Sequence, residues 1–243
     1  MNIGLIGYGY WGKNLYRNLI NSKEIDKIFI FDINKINLKK NKKLFFFSDS
    51  KKFFNSKEID SFIITTPTST HYKYLKKCLA MDKHICVTKP ITKHYSQLLK
   101  LKKEFSNINK IFVDHTYLFH SSIKHIKKLI YYDSERISFG KFYSDVDVID
   151  DLAIHDLYIL DYFLDGKMPT KVSVHSHNNF GDKNFLSNIS LSYSSGFFAN
   201  IKVSWYSPIK SRRILLAGKE KIVEFDDNES DKKIKIHNKG IKY

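Results

Sequence analysis

The stretch Ile3-Gly4-Leu5-Ile6-Gly7-Tyr8-Gly9-Tyr10-Trp11-Gly12 constrains this chain more than any other. A short apolar run ends at Gly7, glycines recur at Gly9 and Gly12, and a helical pattern follows with Leu15, Leu19 and Ile20 on one face. A strand that passes into a helix through Gly-x-Gly-x-x-Gly can rest a dinucleotide's pyrophosphate on its backbone. Gly7 suits the tight turn, Gly9 the close approach of phosphate, and Gly12 the packing of helix on strand. The free N–H groups and dipole of the helix start add attraction for an anion. Tyr10 and Trp11, inside the turn, join the same candidate cofactor site. A plain tight turn would account for the glycines alone; strand, turn and helix in line favour a nucleotide.

The next apolar run, 27–32, reads as a second buried strand. Asp32 closes it, 20 residues beyond Gly12, where a carboxylate can accept from a ribose diol and repel a 2′-phosphate. The competing reading is a turn Asp that caps a following helix. The glycine turn favours the ribose role, and with it NAD over NADP.

Further strands are expected at 44–47, 59–65, 84–87 and 111–113, with helices around 51–55 and 96–105 and another carrying Tyr74, Leu75, Cys78 and Leu79 between them. Strands alternating with helices across short loops define an α/β, doubly wound parallel sheet. Ligands bind at the carboxyl ends of such strands. The glycine turn, the segment Thr65-Thr66-Pro67-Thr68-Ser69-Thr70-His71 and Lys89-Pro90 all fall at those ends. Pro67 stops its strand, and Thr68 or Ser69 is placed to cap the next helix.

After about His115 the pattern changes. A helix is expected over 120–130, a strand over 131–139 and a helix over 151–163, followed by strands near 172–175, 185–193, 197–205, 214–216, 222–225 and 234–236. This describes an α+β domain with a mainly antiparallel sheet. The expected domains are 1–115 and 116–243.

Two places could do chemistry on a hydroxyl. Lys89, fixed by Pro90 after a buried strand, could hydrogen-bond a substrate hydroxyl and lower its pKa, or donate to a ketone. Asp151 and His155 are four apart, so one helix face carries both. The His could exchange a proton with a reacting oxygen while the Asp orients it; a helix N-cap with a core His reads the same pattern blandly. His115, His120 and His125 do not share a helical face, and His175-x-His177 has no nearby Cys or carboxylate, so no metal is expected. Nucleophile-elbow, Walker and zincin motifs are absent.

Charge and cysteine usage narrow the partners. The net charge is +16, yet Arg17, Arg136, Arg212 and Arg213 are the only arginines, and the lysines are scattered. A nucleic-acid reader clusters its charge and uses arginine forks, so nucleic acid is not the expected partner. A positive field still attracts an anionic small substrate. Cys78 and Cys86 fit neither a disulfide framework nor zinc, no apolar run has membrane-spanning length, and no leader is expected ahead of the first strand. A cytoplasmic protein is expected.

Taken in order, Gly-Tyr-Gly-Tyr-Trp-Gly-Lys-Asn, Thr-Thr-Pro-Thr-Ser-Thr-His, Lys-Pro at 89–90 and Asp-x-x-x-His at 151–155 resemble the glucose–fructose oxidoreductase / inositol dehydrogenase / MocA family of NAD(P)-dependent oxidoreductases. The stretches 114–120 and 203–208 look most like bacterial sugar-nucleotide 3-dehydrogenases of the UDP-N-acetylglucosaminuronate type. The resemblance implies a Rossmann domain followed by a domain whose sheet often forms an oligomer interface. It implies that Gly7, Gly9 and Gly12 bind pyrophosphate and Asp32 the adenosine ribose. Thr65, Pro67 and His71 would lie near the nicotinamide half, and Lys89, Asp151 and His155 near the reacting carbon. The implied reaction moves hydride between NAD and a secondary alcohol or ketone, at C3 of a nucleotide-linked sugar. Either His155 or Lys89 serves as the base.

Three departures stand out. Thr88 replaces the Glu that usually precedes the family's Lys-Pro, a turn before position 131 is missing, and the chain stops at Tyr243 where relatives continue with a strand and a helix. A truncated, non-catalytic dinucleotide-binding or interaction protein is therefore the rival expectation.

Overall fold

The computed structural model describes residues 1–240 except 37, 39, 40, 120–128, 141, 144, 179 and 180. The chain divides into two compact units, Met1–Asp114 and His115–Tyr243.

The first unit holds β1 (Asn2–Ile6), β2 (Lys27–Phe31), β3 (Leu44–Phe47), β4 (Ser61–Ile64), β5 (His84–Thr88) and β6 (Ile111–Asp114), with helices α1 (Tyr10–Asn21), α2 (Ser50–Phe54), α3 (Thr68–Ala80) and α4 (Tyr95–Glu104). Its six strands lie in the order β3-β2-β1-β4-β5-β6 and every neighbouring pair is parallel. The doubly wound parallel sheet is thus confirmed. From Ile3 to Ile6 β1 is apolar and buried, because both its faces are covered there. Ile3 and Leu5 pack with Ile25, Ile28 and Ile30 on one side, and Ile6 joins Phe29, Phe62 and Leu75 on the other. The chain lays β2 and β3 to one side of β1 and then crosses to the other for β4, β5 and β6. That reversal makes the carboxyl ends of β1 and β4 the switch point where such sheets take ligands.

One local expectation fails here. Neither Thr68 nor Ser69 caps α3; Pro67 occupies the cap position with no side-chain hydrogen bond. Thr70 instead donates from Oγ1 to the Pro67 carbonyl at 2.8 Å. Proline's fixed φ suits a helix start, and its missing N–H would be unsatisfied there anyway.

The second unit contains β7 (Leu129–Ile137), α5 (Ile154–Phe163), β8 (Lys171–His177), β9 (Leu186–Ser192), β10 (Phe198–Ser204), β11 (Ser211–Gly218), β12 (Ile222–Asp226) and β13 (Ile234–His237). The seven strands run β13-β12-β11-β7-β10-β9-β8. All neighbours are antiparallel except β7 and β10, which pair in parallel. The mainly antiparallel second sheet is also confirmed. Its inward residues, among them Tyr132, Ile189, Ile201 and Leu216, pack with Ile159 and Leu160 of α5.

The expected helix over 120–130 falls mostly on 120–128, outside the described residues, and its end is corrected: Leu129 and Ile130 belong to β7, which stops at Ile137 rather than 139. The expected helix over 151–163 starts differently. Ile149–Ala153 form a π-helical turn, and α-helical geometry begins at Ile154. Among the described residues no helix is long and apolar enough to cross a membrane.

Both thiols sit in the first unit, Cys78 buried in α3 and Cys86 half-buried in β5. Burial, with a smaller contribution from the Asp114 carboxylate, pushes the Cys86 thiol up to about 11, and burial drives Cys78 higher still. The folded state therefore keeps protons that the unfolded state releases above about pH 8.5, and this contribution to stability falls as pH rises through that window. At about pH 8, Ellman's reagent should label both cysteines slowly in the native protein and rapidly in denaturant. Fast native labelling would contradict the packing around α3 and β5.

Candidate functional site: a glycine cradle and a braced helix

The turn after β1 is built by backbone touching backbone. Gly7 has φ +96°, and a Cβ there would come within 2.8 Å of the Thr66 methyl. Gly7 N–H donates to the Phe31 carbonyl at 2.8 Å, which ties the turn to β2. A Cβ at Gly12 would strike the Gly7 carbonyl and lie 2.9 Å from Thr65 Oγ1. Thr65 Oγ1 itself donates to the Gly7 carbonyl at 2.7 Å. Gly9 is different: a Cβ there would meet nothing within 4 Å. Two glycines are thus required by packing, and the third borders open space at the start of α1.

That helix start has the character an anion needs. Its N-cap, Gly9, contributes no side-chain hydrogen bond, and no acidic residue stands in the first turn. The first-turn N–H groups lack intrahelical partners by construction, so they and the helix dipole face a negative group. Tyr10 and Trp11 flank this point, exposed and edge-to-face at 5.8 Å.

Asp32 terminates β2 beside the turn. Its Oδ2 accepts from Tyr8 N–H at 2.7 Å and its Oδ1 from Asn34 N–H at 2.9 Å. The carboxylate makes a turn and pins the glycine loop, and each oxygen retains a lone pair for another donor. The residues present therefore fit a dinucleotide: a cradle open at Gly9, an uncapped helix start and a carboxylate fixed next to both.

The loops after β4 and β5 are joined by His71. Its ring is buried, with Nε2 2.8 Å from the Thr66 carbonyl and Nδ1 2.9 Å from the Pro90 carbonyl. Both partners are acceptors, so both bonds form together only on a doubly protonated ring, while a neutral ring donates to one. His71 thus braces the segment carrying Pro67 against the one carrying Lys89. Pro67 is exposed and Lys89 half-buried. Thr88 accompanies Lys89 and turns its hydroxyl toward the Ile64 carbonyl at 3.4 Å. At the end of β6, burial raises the Asp114 carboxyl above the usual carboxylate range.

In the second unit the π-helical turn carries Asp151 and leads into His155. π-Turns inside helices recur at functional sites. Just ahead of the turn, Asp147 Oδ1 accepts from Ile149 N–H at 2.9 Å and Asp150 N–H at 3.2 Å. Asp151, inside the turn, is no cap; its Oδ2 accepts from the Trp205 indole N–H at 3.0 Å. His155 is half-buried and meets the Tyr117 ring edge-on, centroids 5.0 Å apart.

Sequence reasoning missed the residue next door. Asp156 is fully buried and accepts from Arg136 Nε at 2.7 Å, Arg136 Nη2 at 3.2 Å and Tyr132 Oη at 2.6 Å. Burial works against the guanidinium's charge, but the Asp156 carboxylate more than offsets it and holds Arg136 protonated above its ordinary range. Burial, then the same carboxylate, drives the Tyr132 phenol up. Removing one partner of such a buried pair costs about 3–5 kcal/mol, because a charge is left without compensation. His175 and His177 lie on the exposed edge strand β8, and among the described residues no group of three His, Cys, Asp or Glu could hold a metal.

A parallel sheet with a glycine cradle at its switch point defines a dinucleotide-binding class of domain. Residues 1–115 match the model of an oxidoreductase family with an NAD-binding Rossmann fold, GFO_IDH_MocA. A UDP-N-acetylglucosamine 3-dehydrogenase of Acidithiobacillus ferrooxidans is 28% identical over 182 residues, covering 70% of this chain and 57% of that protein. The chain spans 33% and 57% of the length of the curated relatives it matches. Among solved structures, one from Magnetospirillum magnetotacticum MS-1 shares the fold at a TM-score of 0.84 and 21% identity, over 98% of this chain and 80% of the other. The WlbA dehydrogenase of Chromobacterium violaceum, in complex with NADH and UDP-GlcNAcA, shares it at 0.78 and 15% identity, over 93% and 74%.

The two kinds of glycine should separate on substitution. Gly12→Ala should lower stability by about 1–3 kcal/mol through overpacking, read from the urea midpoint. Gly9→Ala should leave that midpoint within about 0.5 kcal/mol and weaken NADH binding, read by Trp11 fluorescence. Equal effects of both on stability would contradict the cradle.

Proposed function

We propose that this chain is an NAD-dependent oxidoreductase acting on a secondary alcohol or ketone of a sugar, at C3 of a nucleotide-linked one. The observation that carries the reading is the contrast at the glycine turn: Gly12 is closed by the Gly7 carbonyl, Gly9 is open, and Asp32 is held beside them. When bound, the nicotinamide supplies the two-electron acceptor for hydride leaving the sugar carbon. The chain's residues do the rest. Gly7, Gly9, Tyr10, Trp11 and Gly12 hold the pyrophosphate end, and Asp32 takes the adenosine ribose. Thr65 and His71 act by fixing the loops, Pro67 and Lys89 by lying toward the nicotinamide.

As the C–H bond yields its electron pair, the hydroxyl must lose its proton for a carbonyl to form. Lys89 and His155 are the groups for that proton, one as base and the other stabilising the developing alkoxide. Asp151, fixed by Trp205, orients the substrate or the imidazole. The dehydrogenase names among the relatives support this substrate class. The half-buried and buried free thiols support a reducing compartment, the cytoplasm. A homo-oligomer through the second sheet is supported by its open face, where Tyr131 and Phe198 stack at 6.2 Å and the Lys202–Glu135 pair lies alongside.

With NAD and UDP-N-acetylglucosamine, Lys89→Ala and His155→Ala should each lower kcat by about 10²–10⁴-fold, the usual worth of positioned acid–base groups. The base's variant should also lose the acidic limb of the pH–rate profile. Full turnover in both variants would overturn the assignment, and NADH binding without turnover by the parent chain would favour the non-catalytic alternative.

Asp32→Ser should shift the kcat/KM ratio from NAD toward NADP by about tenfold or more, since it removes a carboxylate facing the 2′-position. An unchanged ratio would remove Asp32 from the ribose site.

A further inference from the structure

Tyr117 lies in the 3-10 turn Thr116–Phe119, at the start of the second unit. Its side chain meets a cation, an imidazole and a carboxylate. The Arg136 guanidinium sits 4.2 Å from the ring centroid. The His155 imidazole meets the ring at 5.0 Å with an interplanar angle of 67°. The phenol donates to Asp227 Oδ2 at 3.3 Å.

Two of these neighbours are themselves anchored. Arg136 is 3% exposed and forked onto Asp156, the residue that follows His155 in α5. Asp227 accepts from Lys233 Nζ at 2.9 Å, and Arg212 Nη1 lies 3.7 Å from its Oδ2. A desolvated cation over an aromatic face is a strong contact for its size. The Tyr117 ring is therefore gripped on its face by one fixed cation and at its hydroxyl by one fixed carboxylate. The ring next to His155 has little freedom to move.

We propose that Tyr117 is a positioning residue that sets the plane of the His155 imidazole, with Arg136 holding the Tyr117 ring in place. This rests on the reading of His155 as a proton-handling group. Proton transfer needs the ring nitrogen within hydrogen-bond reach of the reacting oxygen. An imidazole turning freely about its side-chain bonds meets that condition for only part of the time. The Arg136–Asp156 pair then has a purpose beyond joining β7 to α5, since it fixes both the backbone beside His155 and the ring against it.

The test uses the full chain with isotopically labelled histidine, the His155 ring signals being assigned by their loss in His155→Asn. Tyr117→Leu removes the ring, and Tyr117→Phe keeps it while dropping the Asp227 bond. Tyr117→Leu should move the His155 ring-nitrogen signals, which respond to a changed hydrogen-bonding orientation far more than to the loss of a neighbouring ring current. With NAD and UDP-N-acetylglucosamine it should lower kcat about tenfold or more, as misplacement of a reacting group does, with KM for NAD within about twofold. Tyr117→Phe should leave the signals near their original positions and recover most of the rate. Arg136→Met combined with Asp156→Leu removes the gripping cation without leaving a buried charge unpaired, and it should move the His155 signals as well. Unmoved His155 signals in folded Tyr117→Leu protein and in the folded double variant would overturn the proposal. If the parent chain turns over no sugar nucleotide, the reaction assigned above fails, while the His155 spectra still decide the positioning.

Discussion

The contact between Gly12 and the Gly7 carbonyl is the constraint on which the first unit depends. A helix can follow a buried strand this closely only where no Cβ intervenes. The approach brings the first turn of α1 over the end of β1, where its N–H groups face outward. Thr65 locks it from the neighbouring strand by donating to the Gly7 carbonyl at 2.7 Å. Asp32 locks it from the other side by accepting from Tyr8 N–H at 2.7 Å. β1 thus has its turn held from both of its partner strands, at the switch point of the sheet.

The second unit is organised around a buried charge pair instead of a backbone approach. Asp156 joins α5 to β7 through Arg136 and Tyr132, next to a large apolar cluster. An ion pair in such a place contributes little net stability compared with apolar groups of the same volume, and one partner alone is costly. Its value lies in geometry. It fixes the register of α5 against the sheet, and α5 carries His155. The π-helical turn before it sets Asp151 against Trp205, so Asp151 and His155 both sit on backbone that is fixed from the sheet side.

The parts legible in the sequence were those with a local signal. The strands of the first unit showed as apolar runs broken by turn residues, and the glycine spacing has a direct steric cause. The antiparallel strands of the second unit showed by the same rule. Partnerships between distant groups were not legible. Nothing in Asp-Leu-Ala-Ile-His-Asp says which aspartate is buried, because the deciding partner, Arg136, lies on a strand 20 residues away. The bonds that His71 and Thr65 make to backbone carbonyls were not legible either, because every residue carries such a carbonyl. The Pro67 start of α3 was missed because a capping side chain was expected where proline's fixed φ suffices. The π-helical turn has no signature distinct from that of an α-helix, since the same apolar spacing serves both.

The central claim is that the glycine cradle presents a nicotinamide to a sugar and that hydride passes between them. Incubating the full chain with NAD and UDP-N-acetylglucosamine deuterated around the sugar ring tests it most directly, with mass spectrometry of the recovered cofactor. The account predicts one deuterium on the reduced nicotinamide and a keto group on the sugar. Binding of both ligands with no transfer of deuterium would contradict it.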